Sequence, residues 1–352
     1  MTRALIIFVA DFNSIIHSAC EMKYLSLPKS FPDEPAPLLP FFLAMEEYAA
    51  QIVDDDGLFF MWQVDPTVIF GRNQVIENEV NINYCQQHGI KMFRRKSGGG
   101  CVYADRGNIM FSCIQRSSDV TTTFAAYTSA VSAMLCRLGL NAEATGRNDI
   151  LIDGLKVSGN AFYHLPHRSI VHGTMLFTTD NANMLQAITP SIEKLQSKGV
   201  ASVRKHVTTL SEHLSIGIEE FKDFARASLT DDEVVLSDDA IKEIRVIEQT
   251  YLSPDFIFGR HRQSSFTQKE RIENVGEITA SVTTNRGLLT DIDLSGDFFL
   301  LSDLESCLFA PLRGVAYDEP SLREAIAKIG AGNVILNLTD KQLLNLIYPT
   351  QH

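Results

Sequence analysis

The sequence predicts an α+β protein: a mixed, mostly antiparallel sheet with helical cover, followed by a small α+β C-terminal domain. Two observations point there. Short β-prone runs follow one another across tight turns, which favours hairpin pairing, and helical patterns come between groups of them. The chain of 352 residues is also longer than most single cores. The break falls near Pro254, giving domains at 1–253 and 254–352.

Taken in order, Ala4 to Ala10 reads as a first strand; Asp11 interrupts the run and no cleavage pattern for a signal peptide follows. Ser26 to Pro40 carries five prolines, too many for a helix or sheet, and reads as an extended surface insertion. Phe41 to Val53 has Phe42, Met45, Ala49 and Ile52 at helical spacing, which leaves Glu46 and Glu47 towards the polar side. Leu58 to Val64 and Thr67 to Phe70 are strands broken at Asp65-Pro66, and Asn81 to His88 is a helix ended by Gly89. Ile90 to Arg95 is a strand. Val102 to Ala104 and Ile109 to Gln115 are expected to form a hairpin across Asp105-Arg106-Gly107-Asn108.

Thr123 to Leu138 is a helix stopped by Gly139. Strands follow at Asp149 to Ile152, Leu155 to His164 and Ile170 to Thr178, then helices at Ala182 to Ala187, Ile218 to Leu229 and Ile241 to Leu252. The C-terminal part has strands at Gln263 to Ile272, Val275 to Thr283 and Leu288 to Leu294, with helices at Leu301 to Leu308 and Pro320 to Ile329.

A net charge of -12 argues against a nucleic-acid binder. The six cysteines form no C-x-x-C pair and no zinc-spaced cluster with histidine. That fits a reducing, cytoplasmic setting, and no run reaches the length of a membrane span.

Arg94-Arg95-Lys96-Ser97-Gly98-Gly99-Gly100-Cys101-Val102-Tyr103 is the first stretch with chemistry in it. Three glycines let a ligand lie against peptide N–H groups, and the cations would suit an anion; a flexible hairpin turn explains the same glycines. No Gly-Lys-Ser/Thr follows, and Tyr103 stands where a dinucleotide fingerprint needs its third glycine. A second group surrounds the Asp153-Gly154 turn, where a hairpin would bring Asp149 and Lys156 together. That pair can serve a phosphate, an oxyanion or Mg²⁺, or be a plain surface salt bridge. His172-Gly173-Thr174 opens an apolar strand, where a histidine is either a core residue or a site residue. Ser197 to Arg204 reads as a lid or as a linker.

Together and in this order, these blocks resemble the lipoate–protein ligase A family. The resemblance rests on Arg94-Arg95-x-Ser97-Gly98-Gly99-Gly100-x-Val102-x-x-Asp105-x-Gly107-Asn108, Gly146-Arg147-Asn148-Asp149, Lys156-x-Ser158-Gly159, His172-Gly173-Thr174 and Lys198-Gly199-x-x-Ser202-Val203-Arg204. Leu43-Ala44-x-Glu46-Glu47 and Gly71-Arg72-x-Gln74 match as well, so the likeness runs from about Phe41 to Leu229 and more loosely onward.

The resemblance implies a fold like that of class II aminoacyl-tRNA synthetases and biotin synthetase. It implies activation of lipoate by Mg²⁺-ATP to lipoyl-AMP, then transfer to a lysine of a 2-oxoacid dehydrogenase lipoyl domain or the glycine-cleavage H protein. A monomer with no nucleic-acid or membrane partner is expected. Lys156 would be catalytic at the carboxylate–phosphate junction. The lipoyl group would be bound by Trp62, Arg72, Arg95, Ser97, Gly98, Gly99, Gly100, Cys101, Val102, Tyr103, Ser158, Gly159, His172, Gly173 and Thr174. ATP and the adenylate would meet Val102, Tyr103, Asn108, Asn148, Asp149, Ser202, Val203 and Arg204, with Asp149 also holding Mg²⁺.

Cys101 and Ala104 depart from the family pattern, which often has alanine and histidine there. An octanoyl or lipoyl transferase of the same fold is the nearest rival, but it needs a cysteine after the His-Gly-Thr block, and none occurs between Thr174 and Asp255. A biotin–protein ligase fits less well, because its arginine- and glycine-rich loop is not matched. A non-catalytic lipoyl-domain-binding member is the alternative outside enzymes.

Overall fold

A computed structural model describes residues 22–31, 37–54, 56–145, 148–179, 181–188, 207–258 and 266–348. The expected strand at Ala4 to Ala10 and the segment Ser197 to Arg204, with Ser202, Val203 and Arg204, lie outside them, as do Gly146 and Arg147. In chain order the strands are β1 (Lys23–Ser26), β2 (Leu58–Trp62), β3 (Thr67–Phe70), β4 (Lys91–Arg94), β5 (Val102–Ala104), β6 (Asn108–Gln115) and β7 (Ala142–Ala144). They continue with β8 (Asp149–Ile152), β9 (Leu155–Leu165), β10 (Arg168–Leu176), β11 (Asp232–Val235), β12 (Phe266–Ile272), β13 (Gly276–Asn285) and β14 (Leu288–Gly296). The α-helices longer than four residues are α1 (Leu39–Ile52), α2 (Ile82–Gln87), α3 (Val120–Arg137), α4 (Asn181–Ala187), α5 (Ile218–Leu229), α6 (Asp238–Leu252), α7 (Pro254–Phe258), α8 (Glu319–Ile329) and α9 (Asp340–Ile347).

Two compact units arise. The first joins Met1–Thr67, Ala104–Asn183 and Ile192–Thr250; the second joins Val68–Tyr103, Met184–Ser191 and Tyr251–His352.

The first unit is built on an eight-stranded sheet in the order β11-β1-β2-β6-β10-β9-β8-β7. β1 runs parallel to β2 and β11, and every other pairing is antiparallel. The mixed, mostly antiparallel sheet is therefore as expected. β6 is buried from Asn108 to Ile114, on both faces, because helices cover each side. α1 brings Glu46 onto Ser112 and His172 on one face, whereas α3 packs Phe124 edge-on against Phe162 of β9 on the other. Asp119 caps α3 by accepting from the Thr122 N–H at 3.0 Å, and Gly139, at φ 84°, supplies the left-handed stop.

Several expectations need correction. Glu46 does not face solvent: it is fully buried within a run of buried residues from Leu39 to Glu46. Val102 to Ala104 and Ile109 to Gln115 do not form a hairpin. β5 pairs with β3 in the three-stranded sheet β4-β3-β5, while β6 joins the large sheet. The turn between them is claimed by other partners, since the Gly107 carbonyl accepts from Phe177 and Thr178 N–H groups at 3.0 and 2.8 Å. The proline-rich segment is not insertion throughout: Ser26 ends β1, and Leu39 and Pro40 already form the buried first turn of α1. β1, β7 and β11 were not anticipated.

In the second unit, β12, β13 and β14 form an antiparallel meander in that order. Ile278, Val282, Leu289 and Ile292 from the sheet share a core with Leu322 and Ile326 of α8 and Leu343 and Ile347 of α9. α9 opens with a capping box between Thr339 and Gln342.

Phe111 tests the core of the first unit. Its ring meets Phe59 edge-on at 5.3 Å, on the face away from Ser112 and His172. Phe111→Ala is expected to cost about 3–5 kcal/mol, read as a lowered denaturant midpoint at unchanged m-value.

Candidate active site

Cross-strand register does most of the positioning in the first unit. Trp62 pairs with Met110, Met110 with Thr174, Thr174 with Gly159, and Gly159 with Asp149, so five strands contribute one straight row. Directly paired residues of antiparallel strands share a face. At ~4.8 Å per strand the row spans roughly 19 Å, aromatic at one end and charged at the other. A neighbouring row on the same face holds Phe60, Ser112, His172 and Ala161.

Lys156 reaches this face through a β-bulge. Simple alternation along β9 would send it the same way as Ser158, opposite to Gly159. The register slips between Ile150 and Leu151, Lys156 pairs with Leu151, and its side chain turns back over Gly159. A Cβ at Gly159 would stand 2.7 Å from Lys156 Nζ, so the glycine leaves the trough the lysine fills. Nζ lies 2.7 Å from Asp149 Oδ1, as the hairpin reading expected. This is a charge contact, for Oδ1 has no aligned hydrogen-bond donor among the described residues. Both side chains are about one-third exposed, 35% and 30%, and such pairs contribute only ~0–1 kcal/mol. Stability does not explain the arrangement.

The surrounding polar groups are tied down. The Asn148 carbonyl accepts from Asn160 N and Nδ2 at 2.8 and 3.1 Å, and the Ser158 hydroxyl lies 3.3 Å from Asn160 Oδ1. Ser158 and Gly173 belong to the opposite face, where Gly173 makes room for Asn160: a Cβ there would be 1.9 Å from Asn160 Oδ1. Thr174 Oγ1 accepts from Gly159 N at 3.3 Å. Thr208 N donates to the Lys156 carbonyl at 2.9 Å, which anchors the chain on the far side of the 189–206 segment. Asn108, fully buried, starts β6 opposite Leu176.

Glu46 and Ser112 are site features that the sequence reading did not assign. Trp62 Nε1 donates to Ser112 Oγ at 2.9 Å, Ser112 donates to Glu46 Oε1 at 2.6 Å, and His172 Nδ1 lies 2.9 Å from both Glu46 oxygens. A signal existed: Glu46 is four residues after Phe42 and three before Ala49, so it falls on the apolar stripe of its helix.

The arginine and glycine stretch lies in the second unit. Its two arginines are taken up by backbone carbonyls and a serine hydroxyl. Arg94 donates to the carbonyls of Gly71, Arg72, Gln74, Phe256 and Ile257. Arg95 donates to those of Ile69, Gly98 and Gly100 and to Ser97 Oγ. Burial lowers both guanidinium groups to about 10, and they remain cationic at neutral pH. Lys96 stands over the Tyr251 ring at 5.0 Å. Arg72, half-exposed, lies 3.4 Å from Asp303, and its N–H donates to the Ser97 carbonyl at 2.9 Å. Cys101 and Val102 are half-buried and Tyr103 is buried.

Close packing accounts for two of the glycines. A Cβ at Gly98 would be 2.3 Å from the Phe298 carbonyl oxygen, and Gly99, at φ 85°, donates its N–H to that oxygen at 3.2 Å. Asn73 accepts from Gly296 N at 2.7 Å on the same segment.

An α+β sheet with this site belongs to a recognisable class. The lipoyl protein ligase A/B catalytic domain matches residues 40–230, and the bacterial lipoate protein ligase C-terminus matches residues 262–347. The chain is thus a protein ligase of the lipoyl A/B type. Lipoate-protein ligase LplJ of Bacillus subtilis is 32% identical over 318 residues, covering 87% of this chain and 96% of that one. A bipartite lipoate protein ligase from Thermoplasma acidophilum, described with its E2 lipoyl domain, is 25% identical with a TM-score of 0.61, covering 70% of this chain and 100% of that chain. A lipoate-protein ligase A bound with ATP shares the fold at 23% identity and a TM-score of 0.58, covering 68% and 99%. The chain belongs to the lipoate–protein ligase family.

Gly98→Ala distinguishes packing from ligand contact. With a backbone oxygen in the way, the ligand-free variant is expected to lose about 1–3 kcal/mol in chemical denaturation; a glycine kept only for a ligand would leave that stability unchanged.

Proposed function

We propose that the chain activates lipoate with ATP to lipoyl-AMP and passes the lipoyl group to a lysine of a lipoyl domain. One observation carries this reading: the Lys156 ammonium, 2.7 Å from Asp149, occupies the charged end of a row whose other end is Trp62. A lipoate oxygen attacks the α-phosphorus and pyrophosphate leaves. The acceptor amine then attacks the acyl carbonyl, AMP leaves, and the amine proton passes to solvent. Both steps build negative charge, at the phosphate and then at the carbonyl oxygen. A fixed ammonium there stabilises each, and the bulge holds it in place before either reactant binds. No covalent enzyme intermediate is needed, because the adenylate is already an activated acyl group.

Asn148 and Asp149 serve the adenylate side, with Asn108. No group of three potential metal ligands exists among the described residues, but Mg²⁺ commonly takes one or two carboxylates together with substrate phosphates. Asp149, half-buried and without an aligned donor on Oδ1, fits that style. When bound there, Mg²⁺ would neutralise phosphate charge. His172 and Thr174 stand along the acyl row, with Ser158 and Gly173 fixing the strands behind it. Arg72, Arg95, Ser97, Gly98, Gly99, Gly100, Cys101, Val102 and Tyr103 keep the binding role the resemblance implies, Arg95 acting through the loop carbonyls it holds. Ser202, Val203 and Arg204 are assigned to the adenylate.

The T. acidophilum ligase described with its E2 lipoyl domain supports such a domain as acceptor, and we extend this to the glycine-cleavage H protein. In functional terms 1–253 is catalytic and 254–352 accessory. No helix among the described residues is long and apolar enough to cross a membrane. We place the reaction in the cytoplasm, carried out by a monomer. The transferase reading is disfavoured by the lack of a cysteine between Thr174 and Asp255.

Lipoate-dependent ATP–pyrophosphate exchange tests the reaction. Lys156→Ala should keep the fold and lower exchange by about 10²–10³-fold, the usual cost of losing one charge-stabilising donor. Normal exchange in that variant would contradict the assignment.

A further inference from the structure

Lys156 carries the charge that the proposed reaction needs, yet neither neighbouring strand holds it in a regular ladder. On the β8 side it sits at the bulge, where Val157 has no opposite residue. On the other side the β10 ladder ends at the pair Met175 and Ser158, two residues short of it. Its backbone needs a third support.

Val207 and Thr208 supply it. Val207 lies opposite Lys156 in a parallel bridge, and Thr208 N donates to the Lys156 carbonyl at 2.9 Å. These two residues take the place beside Lys156 that β10 leaves. The turn that follows them is tied to the end of β10, because Ser211 N donates to the Phe177 carbonyl at 3.1 Å.

Thr208 is in turn held through its side chain. It is 1% exposed, and its Oγ1 lies 2.8 Å from His213 Nε2 and 3.2 Å from Glu212 Oε2. An ionised Glu212 only accepts, so the threonine O–H donates to it, and the His213 Nε2–H donates to the threonine oxygen. Thr209 donates to the other Glu212 oxygen at 3.1 Å. These contacts orient one buried threonine, and the threonine aims one peptide N–H at Lys156.

We infer that Thr208, braced by Glu212 and His213, is a positioning residue for Lys156. It acts through the lysine, keeping the bulged backbone where the ammonium lies over Gly159 and 2.7 Å from Asp149. The inference rests on the ligase reading above and deepens it by naming what holds the charge in place. A displacement of about 1 Å at a reacting centre can cost about 10²-fold in rate, so the loss falls on kcat rather than on lipoate binding.

The test is lipoate-dependent ATP–pyrophosphate exchange in Thr208→Val and Thr208→Ser, each made in the wild-type chain and in Lys156→Ala. Valine keeps the shape and removes the hydroxyl; serine keeps the hydroxyl. Thr208→Val should lower kcat about tenfold or more with KM for lipoate within about twofold, and Thr208→Ser should hold kcat within about threefold of wild type. In Lys156→Ala, Thr208→Val should change the residual rate by less than about twofold, because an effect exerted through the lysine vanishes with it. Wild-type kcat in a folded Thr208→Val chain, or an equal loss in both backgrounds, overturns the positioning role and leaves the ligase reading standing. If Thr208→Val does not fold, Glu212→Ala and His213→Ala, both at exposed positions and combined in one chain, are judged by the same comparison. A wild-type chain with no lipoate-dependent exchange overturns the ligase reading itself, and the positioning role with it.

Discussion

The β-bulge opposite Ile150 and Leu151 is the constraint on which the candidate site depends. Without it, alternation would turn Lys156 to the face of Ser158 and Asn160, where α3 packs. With it, the ammonium returns to the face that carries Asp149, Gly159, Thr174 and His172. A strand normally allots its residues evenly to two sides; one inserted residue moves a single cation across and leaves the apolar pattern of the sheet intact. The adjoining glycine is the counterpart of the bulge, since any side chain at Gly159 would occupy the space the lysine takes.

The two ends of the row differ in how they are stabilised. The charged end is about one-third exposed, weakly paired and cheap to rearrange, which suits groups that must exchange one partner for another. The aromatic end is buried and fixed by a hydrogen-bond chain through Ser112 to Glu46. Rigid recognition and adaptable electrostatics are thus separated along one line of paired residues. In the second unit, the guanidinium groups of Arg94 and Arg95 shape backbone rather than meet solvent.

Much of this was legible in the sequence where the cause is local. Asp153-Gly154 takes positive φ at both residues, 50° and 79°, as a tight hairpin turn requires, and the Asp149–Lys156 contact follows from it. Gly139 stops α3 for an equally local reason, whereas the helix starts at Val120 behind the Asp119 cap, three residues before the Thr123 that the periodicity marks. What could not be read depends on distant partners. β1 pairs in parallel with β11, and no short-range turn announces that. Gly98 is a glycine because the Phe298 carbonyl approaches it from far along the chain, and Gly99 takes φ 85° with the Phe299 ring beside it. Glu46 was read as solvent-facing because it is charged, although its spacing put it on the buried stripe; its partners, Ser112 and His172, are remote in sequence. The bulge is hidden for the same reason, as nothing in Lys156-Val157-Ser158 marks it.

The most direct measurement is recovery of the intermediate itself. The wild-type chain incubated with lipoate, ATP and Mg²⁺ but no acceptor protein should retain lipoyl-AMP, detected by mass spectrometry after denaturation, with pyrophosphate released in equal amount. Release of neither from well-folded protein, under conditions where lipoate and ATP are both bound, would contradict an adenylate-forming site at Lys156 and Asp149.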